Sequence, residues 1–258
     1  MQDKFIADQF KKINSTVFGK LQQISPFQAQ LGFGCGADKW DRMPYEAGCF
    51  ALQRHFKIKN TIPRYCFDCY KVEVFPENVL DFFKLLFVFE KISFKKNNHR
   101  KLWLRPRKII EVNYTGTLYF QSLEEAKSSL DFIKNYIKDE TSINMPIRLK
   151  RGCSNYLDKL PNFSDVNENY DTLVDDKDSW QRIEKNFMTE YSKEPIQNPY
   201  TENPKRKIDD FSMYEKNILY AWLGFAAIIG DDSYKKITSI EPNILKQFIP
   251  QIFYNVIL

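Results

Sequence analysis

Between residues 64 and 153 the spacing of apolar residues switches repeatedly between two and 3.6, and this switching constrains the fold more than any other feature of the chain. Tyr70, Val72 and Val74 alternate with Lys71 and Glu73, which predicts a strand. Pro76-Glu77-Asn78 breaks it, and Val79 to Ile92 (VLDFFKLLFVFEKI) then predicts a helix that is apolar on almost every side. Leu102-Trp103-Leu104 and Asn113 to Gln121 predict two more strands, Leu123 to about Ile137 a second helix, and Ile147 to Arg151 a last strand. Ser122 and Glu125 have the spacing of a capping box at the start of the second helix. In an antiparallel βαββαβ sheet the first and fourth strands are neighbours. Cys66 and Cys69, at the opening of the first strand, are therefore expected beside Cys153, at the close of the fourth.

The flanking regions differ in character. Residues 1–63 read as a helical extension with helices at both ends and a loop, LGFGCGADKWD, that holds Cys35. That loop is too irregular for a phosphate cradle and reads as a surface loop packed by Phe33 and Trp40. Residues 154–211 turn acidic: from 154 to 210 there are thirteen Asp and Glu against eight Lys and Arg, where 64–153 has eleven against seventeen. This stretch, with Pro195, Pro199 and Pro204 after a short helix near Trp180 to Tyr191, reads as a solvated connection. Residues 212–258 predict a helix capped by Ser212 and Glu215, then one from about Asn243 carrying Ile244, Leu245, Phe248, Ile252 and Phe253. Both are apolar enough to need a sheet to cover. The fold class expected is α+β, one core sheet with helices added at each end.

The run Gly116-Thr117-Leu118-Tyr119-Phe120-Gln121-Ser122-Leu123-Glu124-Glu125-Ala126 resembles the third strand and following helix of an RNA recognition motif. The likeness covers about ninety residues and implies a ferredoxin-like antiparallel sheet over 64–153. Members of that family bind RNA through aromatic rings on the middle strands. The resemblance places Thr115 and Thr117 at those positions, with Lys71 or Glu73 facing outward on the first strand. It therefore implies the fold without the stacked-base readout.

Cys66-Phe67-Asp68-Cys69 is a CxxC, a spacing that lets two thiolates hold one ion. With Cys153, and with Cys35 or Cys49 as the fourth ligand, it makes a candidate site for zinc or an iron-sulfur cluster. Plain structural thiols and redox chemistry remain open beside it. His99 to Lys108 gathers Arg100, Lys101, Arg105, Arg107 and Lys108 around Trp103, a strip suited to gripping phosphates while the ring stacks on a base. Lys95, Lys96, Arg148, Lys150 and Arg151 extend it. Asp68 and Glu73 form an alternative pair of metal carboxylates for phosphotransfer or nuclease chemistry, and His99 a candidate acid-base residue. His55 reads as an ordinary surface residue. Gly230-Asp231-Asp232 reads as a helix stop and polar turn.

The formal charge of +5 permits a polyanion partner without demanding one. The charged N-terminus has no secretory pattern, and the longest apolar run, Ile218 to Gly230, falls short of the ~18 residues that span a bilayer. A cytoplasmic chain without a membrane span is expected. The function expected is binding, with a cysteine-held metal and weak, sequence-tolerant contact to single-stranded nucleic acid. A protein-interaction module is the second reading and a metal-dependent enzyme the third.

Overall fold

The strand periods of the sequence come together as one antiparallel sheet. The structure is a computed structural model and describes residues 2–21, 39–42, 46–94, 99–105, 112–191 and 213–245. Its strands are β1 (Lys39–Arg42), β2 (Tyr70–Val74), β3 (Arg100–Leu104), β4 (Tyr114–Phe120) and β5 (Ile147–Arg151), in spatial order β1-β3-β4-β2-β5. Every neighbouring pair is antiparallel. β2 lies between β4 and β5, with Tyr70 opposite both Phe120 and Arg151. The fold class is α+β, and the sheet is open.

Helices α1 (Asp3–Leu21), α2 (Glu46–Lys59) and α3 (Arg64–Phe67) precede β2. Helix α4 (Val79–Lys91) follows β2, and α5 (Leu123–Thr141) follows β4. Beyond β5 come α6 (Tyr170–Leu173), α7 (Lys177–Tyr191), α8 (Met213–Ile229) and α9 (Pro242–Leu245). None is long and apolar enough, among the described residues, to cross a membrane.

Helix α4 explains its own composition. Every residue from Val79 to Phe89 is buried, because one side meets the sheet while the other meets α1 and α8. At Gly116 of β4 a Cβ would sit 2.6 Å from Leu85 and 3.0 Å from Phe89, so glycine lets the helix approach the strand closely. On the outer side the Phe10 and Phe83 rings meet at 6.1 Å, and Phe82 lies 4.3 Å from Trp222. Asn78 caps α4 by accepting from the Asp81 N–H at 2.9 Å, and Asp231 accepts the Val79 N–H at 2.6 Å and the Tyr114 hydroxyl at 2.7 Å. Gly230, at φ 79°, ends α8 as expected, and the aspartate after it anchors the start of α4. The terminal helices thus cover α4 rather than a bare sheet face; Phe248, Ile252 and Phe253 lie outside the described residues.

The acidic stretch departs from expectation. Tyr156, Phe163, Tyr170 and Val174 are buried with Leu52, Ile62, Cys66 and Phe67 in a second core between α2, α3 and the segment after β5. Its aromatic residues, spaced irregularly among acidic ones, carry no period to reveal them, yet they give residues 154–174 enough apolar surface to fold. His55 is likewise buried rather than on the surface. Its Nε2 is 2.8 Å from Thr61 Oγ1 and its ring packs on Phe187 at 4.9 Å, with burial holding its pKa below the usual value.

Candidate functional site

Alternation along the strands sorts the side chains onto two faces. Val72, Val74, Leu102, Leu104, Leu118 and Phe120 enter the core beneath α4 and α5. The opposite face, left open by the described helices of that core, receives Lys71 and Glu73 from β2, Lys101 and Trp103 from β3, Thr115, Thr117 and Tyr119 from β4, and Arg148 and Lys150 from β5, with Arg105 at its margin; Lys71, Glu73, Thr115, Thr117, Tyr119 and Lys150 are buried within it. Among the described side chains this face holds five cations and one carboxylate.

Glu73 sits at the centre and is 2% exposed. Its Oε1 lies 3.1 Å from Arg105 Nη2 and 3.7 Å from Lys150 Nζ, while Oε2 is 2.6 Å from Arg148 Nη2. Burial alone would raise its pKa, but the three cations outweigh that and hold the carboxyl below its usual range. Lys150 answers in the opposite direction. Burial lowers its pKa and Glu73 only partly restores it, leaving the ammonium at about 8.

The aromatic rings lie on the same face. Arg105 stacks over Trp103 at 4.4 Å, Lys101 lies 5.2 Å from that ring, and Trp103 Nε1 donates to Thr117 Oγ1 at 3.2 Å. Lys71 lies 5.1 Å from the Tyr119 ring, which stacks on His99 at 4.6 Å. A small pocket of about 30 Å³ opens beside these rings, lined by Tyr65, Asp68, Cys69, His99 and Gln121 among others. His99 is therefore a buried ring immediately before β3.

The cysteines separate. Cys66 belongs to the helical turn α3, which precedes the strand, and its Sγ lies 3.3 Å from the Tyr156 hydroxyl in the second core. Cys69 and Cys153 flank Lys71, whose Nζ donates to Cys153 Sγ at 3.3 Å. Burial works against the Cys153 thiolate, yet Lys71, with help from Lys101 and Lys150, brings its pKa below the ordinary thiol value. Burial pushes the Cys69 thiol up to about 11, and the neighbouring Cys153 adds to the rise. The two thiols are thus shifted in opposite directions. No group of three or more His, Cys, Asp or Glu side chains able to hold a metal occurs among the described residues. Cys35 lies outside them, and of Cys49 only the helical backbone is described.

The basic strip is also divided by the pleat. Lys101, Trp103 and Arg105 reach the open face, whereas Arg100 points to the helices and spends its guanidinium on the Phe89 and Ile92 carbonyls, at 2.7 and 2.6 Å, closing the end of α4. Arg107, Lys108, Lys95 and Lys96 lie outside the described residues. Arg151 is fully buried on the helix side, over the Tyr70 ring at 5.6 Å, with no hydrogen-bond partner among the described residues. Asp68 pairs with Arg64 at 3.6 Å on the surface, so it does not join Glu73 in a carboxylate pair. The strip as read from sequence missed Tyr119 and gave Lys71 no role. Continuing the alternation from Thr115 and Thr117 finds the first, and the period-two pattern of β2 finds the second.

No protein-family model, curated protein or solved structure matches this chain.

Proposed function

We propose that the open face of the sheet binds single-stranded nucleic acid, chiefly through phosphate charge and without sequence readout. The observation that carries this is the cation surplus: five cationic side chains from three strands and their margin share the face with a single described carboxylate, which pairs with three of them. Lys71 and Lys150 lie beneath and raise the local potential, while Arg148, with over half of its side chain exposed, and the half-buried Lys101 and Trp103 form the accessible layer. Trp103 offers a ring on which a base can stack, and a ring flanked by Arg105 and Lys101 attracts both base and phosphate. The finer reading of the sheet as ferredoxin-like, related to RNA recognition motifs, belongs to the same proposal. The position of β2 between β4 and β5, with α4 and α5 on one face, supports it. In place of a metal at the cysteines, the reading sets the Lys71 ammonium against the Cys153 sulfur, where a cation already stands.

Fluorescence anisotropy of a labelled single-stranded oligonucleotide across a salt series tests the reading. Affinity should fall as salt rises, and Lys101→Gln with Arg148→Gln should reduce the log-log slope by about 1.4, two phosphate contacts at ~0.7 each. Absence of binding at low salt, or the parental slope in the double variant, overturns it. Equal affinity for an acidic peptide would transfer the face to a protein partner.

A further inference from the structure

The two sulfurs beside Lys71 are brought together by a break in the sheet rather than by its regular course. The β2-β5 ladder ends at the pair Tyr70 and Arg151, and the Gly152 N–H then donates to the Cys69 carbonyl at 2.7 Å. In an unbroken strand the next side chain, Cys153, would turn toward the helices, away from Lys71. Gly152 has φ 51°, in the left-handed region, and this turn puts Cys153 on the open side with Cys69 and Lys71. A Cβ at residue 152 would also collide with the Phe163 ring, so glycine is required on two counts. Both residues remain partly exposed, and neither is in a disulfide. Their environments differ, as described above: the ammonium favours the charged form at Cys153 and burial the neutral form at Cys69.

We propose that Cys153 and Cys69 are a dithiol pair that a hydroperoxide converts to a disulfide, Cys153 attacking and Cys69 resolving. In the first step the Cys153 sulfur forms a bond to one oxygen of hydrogen peroxide as the O–O bond breaks, giving sulfenic acid and hydroxide. The peroxide is reduced by two electrons and the sulfur oxidised by two. In the second step the Cys69 sulfur attacks the sulfenic sulfur, the S–O bond breaks, and the departing hydroxyl leaves as water with the Cys69 proton. Lys71 then loses its sulfur counter-charge and is released to the cationic face. This last consequence rests on the nucleic-acid reading of that face; the thiol chemistry does not.

The test treats the reduced full-length chain with hydrogen peroxide and maps its peptides without reduction. A Cys69–Cys153 link is expected, and in Cys69→Ser a dimedone adduct should accumulate on Cys153. Lys71→Met should slow the reaction at least tenfold, corresponding to a rise of about one pKa unit at the attacking thiol, and Lys71→Arg should keep most of the rate. Should Lys71→Met fail to fold, the pH dependence of iodoacetamide labelling of Cys153 in Cys69→Ser decides. A midpoint below about 8.5 upholds the proposal, and one at or above it overturns it. Adducts on Cys66 in place of Cys153, absence of the link, or a parental rate in a folded Lys71→Met overturn it as well. Oligonucleotide binding by the reduced and oxidised samples separates the two readings. A disulfide in a chain that binds no nucleic acid sinks only the reading of the face, and binding without a disulfide sinks only the thiol pair.

Discussion

Glu73→Gln tests the electrostatic logic of the open face. The carboxylate is nearly inaccessible and is the partner of three cations, two of which, Arg105 and Lys150, are themselves largely buried. A neutral amide of the same shape removes no packing, so the cost is that of leaving those cations without their counter-charge, about 3–5 kcal/mol for breaking a buried pair. The lower end is expected here. Burial already lowers Lys150 to about 8, and losing Glu73 lowers it further, which relieves part of the repulsion. A loss of about 3 kcal/mol in a chain of this size lowers the thermal midpoint by roughly 6–12 °C. The pH dependence supplies a second check. The folded-state pKa of Glu73 is depressed, so its contribution is complete above the unfolded value of 4.5 and disappears as pH falls through the lower folded value. Parent and variant should therefore differ at pH 7 and converge in acid, as measured by urea unfolding across pH. A difference under about 1 kcal/mol at pH 7, or a gap that persists unchanged in acid, refutes the argument.

Two other substitutions probe neighbouring features. Gly152→Ala should lower stability by about 2 kcal/mol or more, since it strains a left-handed residue and drives a methyl into Phe163, and it should displace Cys153 from Lys71. A parental midpoint by calorimetry would refute that. Arg151→Met should hold or raise the midpoint, because it replaces a buried guanidinium lacking described partners with an apolar chain of similar length; a drop of several degrees would show that the arginine has a partner.

Local rules carried much of the fold. The alternation at 70–74, the breaker at Pro76 and the cap at Ser122, which accepts the Glu125 N–H at 3.1 Å, act within a few residues, and each element formed where they pointed. Helix α5 runs on to Thr141 because Ser142 closes it in the left-handed conformation, a serine where the pattern offered no glycine. The candidate site was only half legible. Strand order brought Cys69 and Cys153 to the same sheet end, but a CxxC read as extended is split between a helical turn and a strand, so Cys66 turns into another core. Arg100 and Lys101 looked equivalent in the basic strip, and the pleat sends them to opposite faces.

By itself the sequence determined most of the strands and helices and which strand residues share a face, since hydrogen bonding and pleat repeat over two to four residues and need no distant partner; β1 (Lys39–Arg42), which it read as part of a surface loop, forms only by pairing with β3. Only the tertiary structure decided that three cations would meet around Glu73, and that a left-handed Gly152 would turn Cys153 onto Lys71. Those contacts join residues far apart in the chain, whose energies depend on burial and on distances of about 3 Å. Neither quantity exists until the strands are assembled.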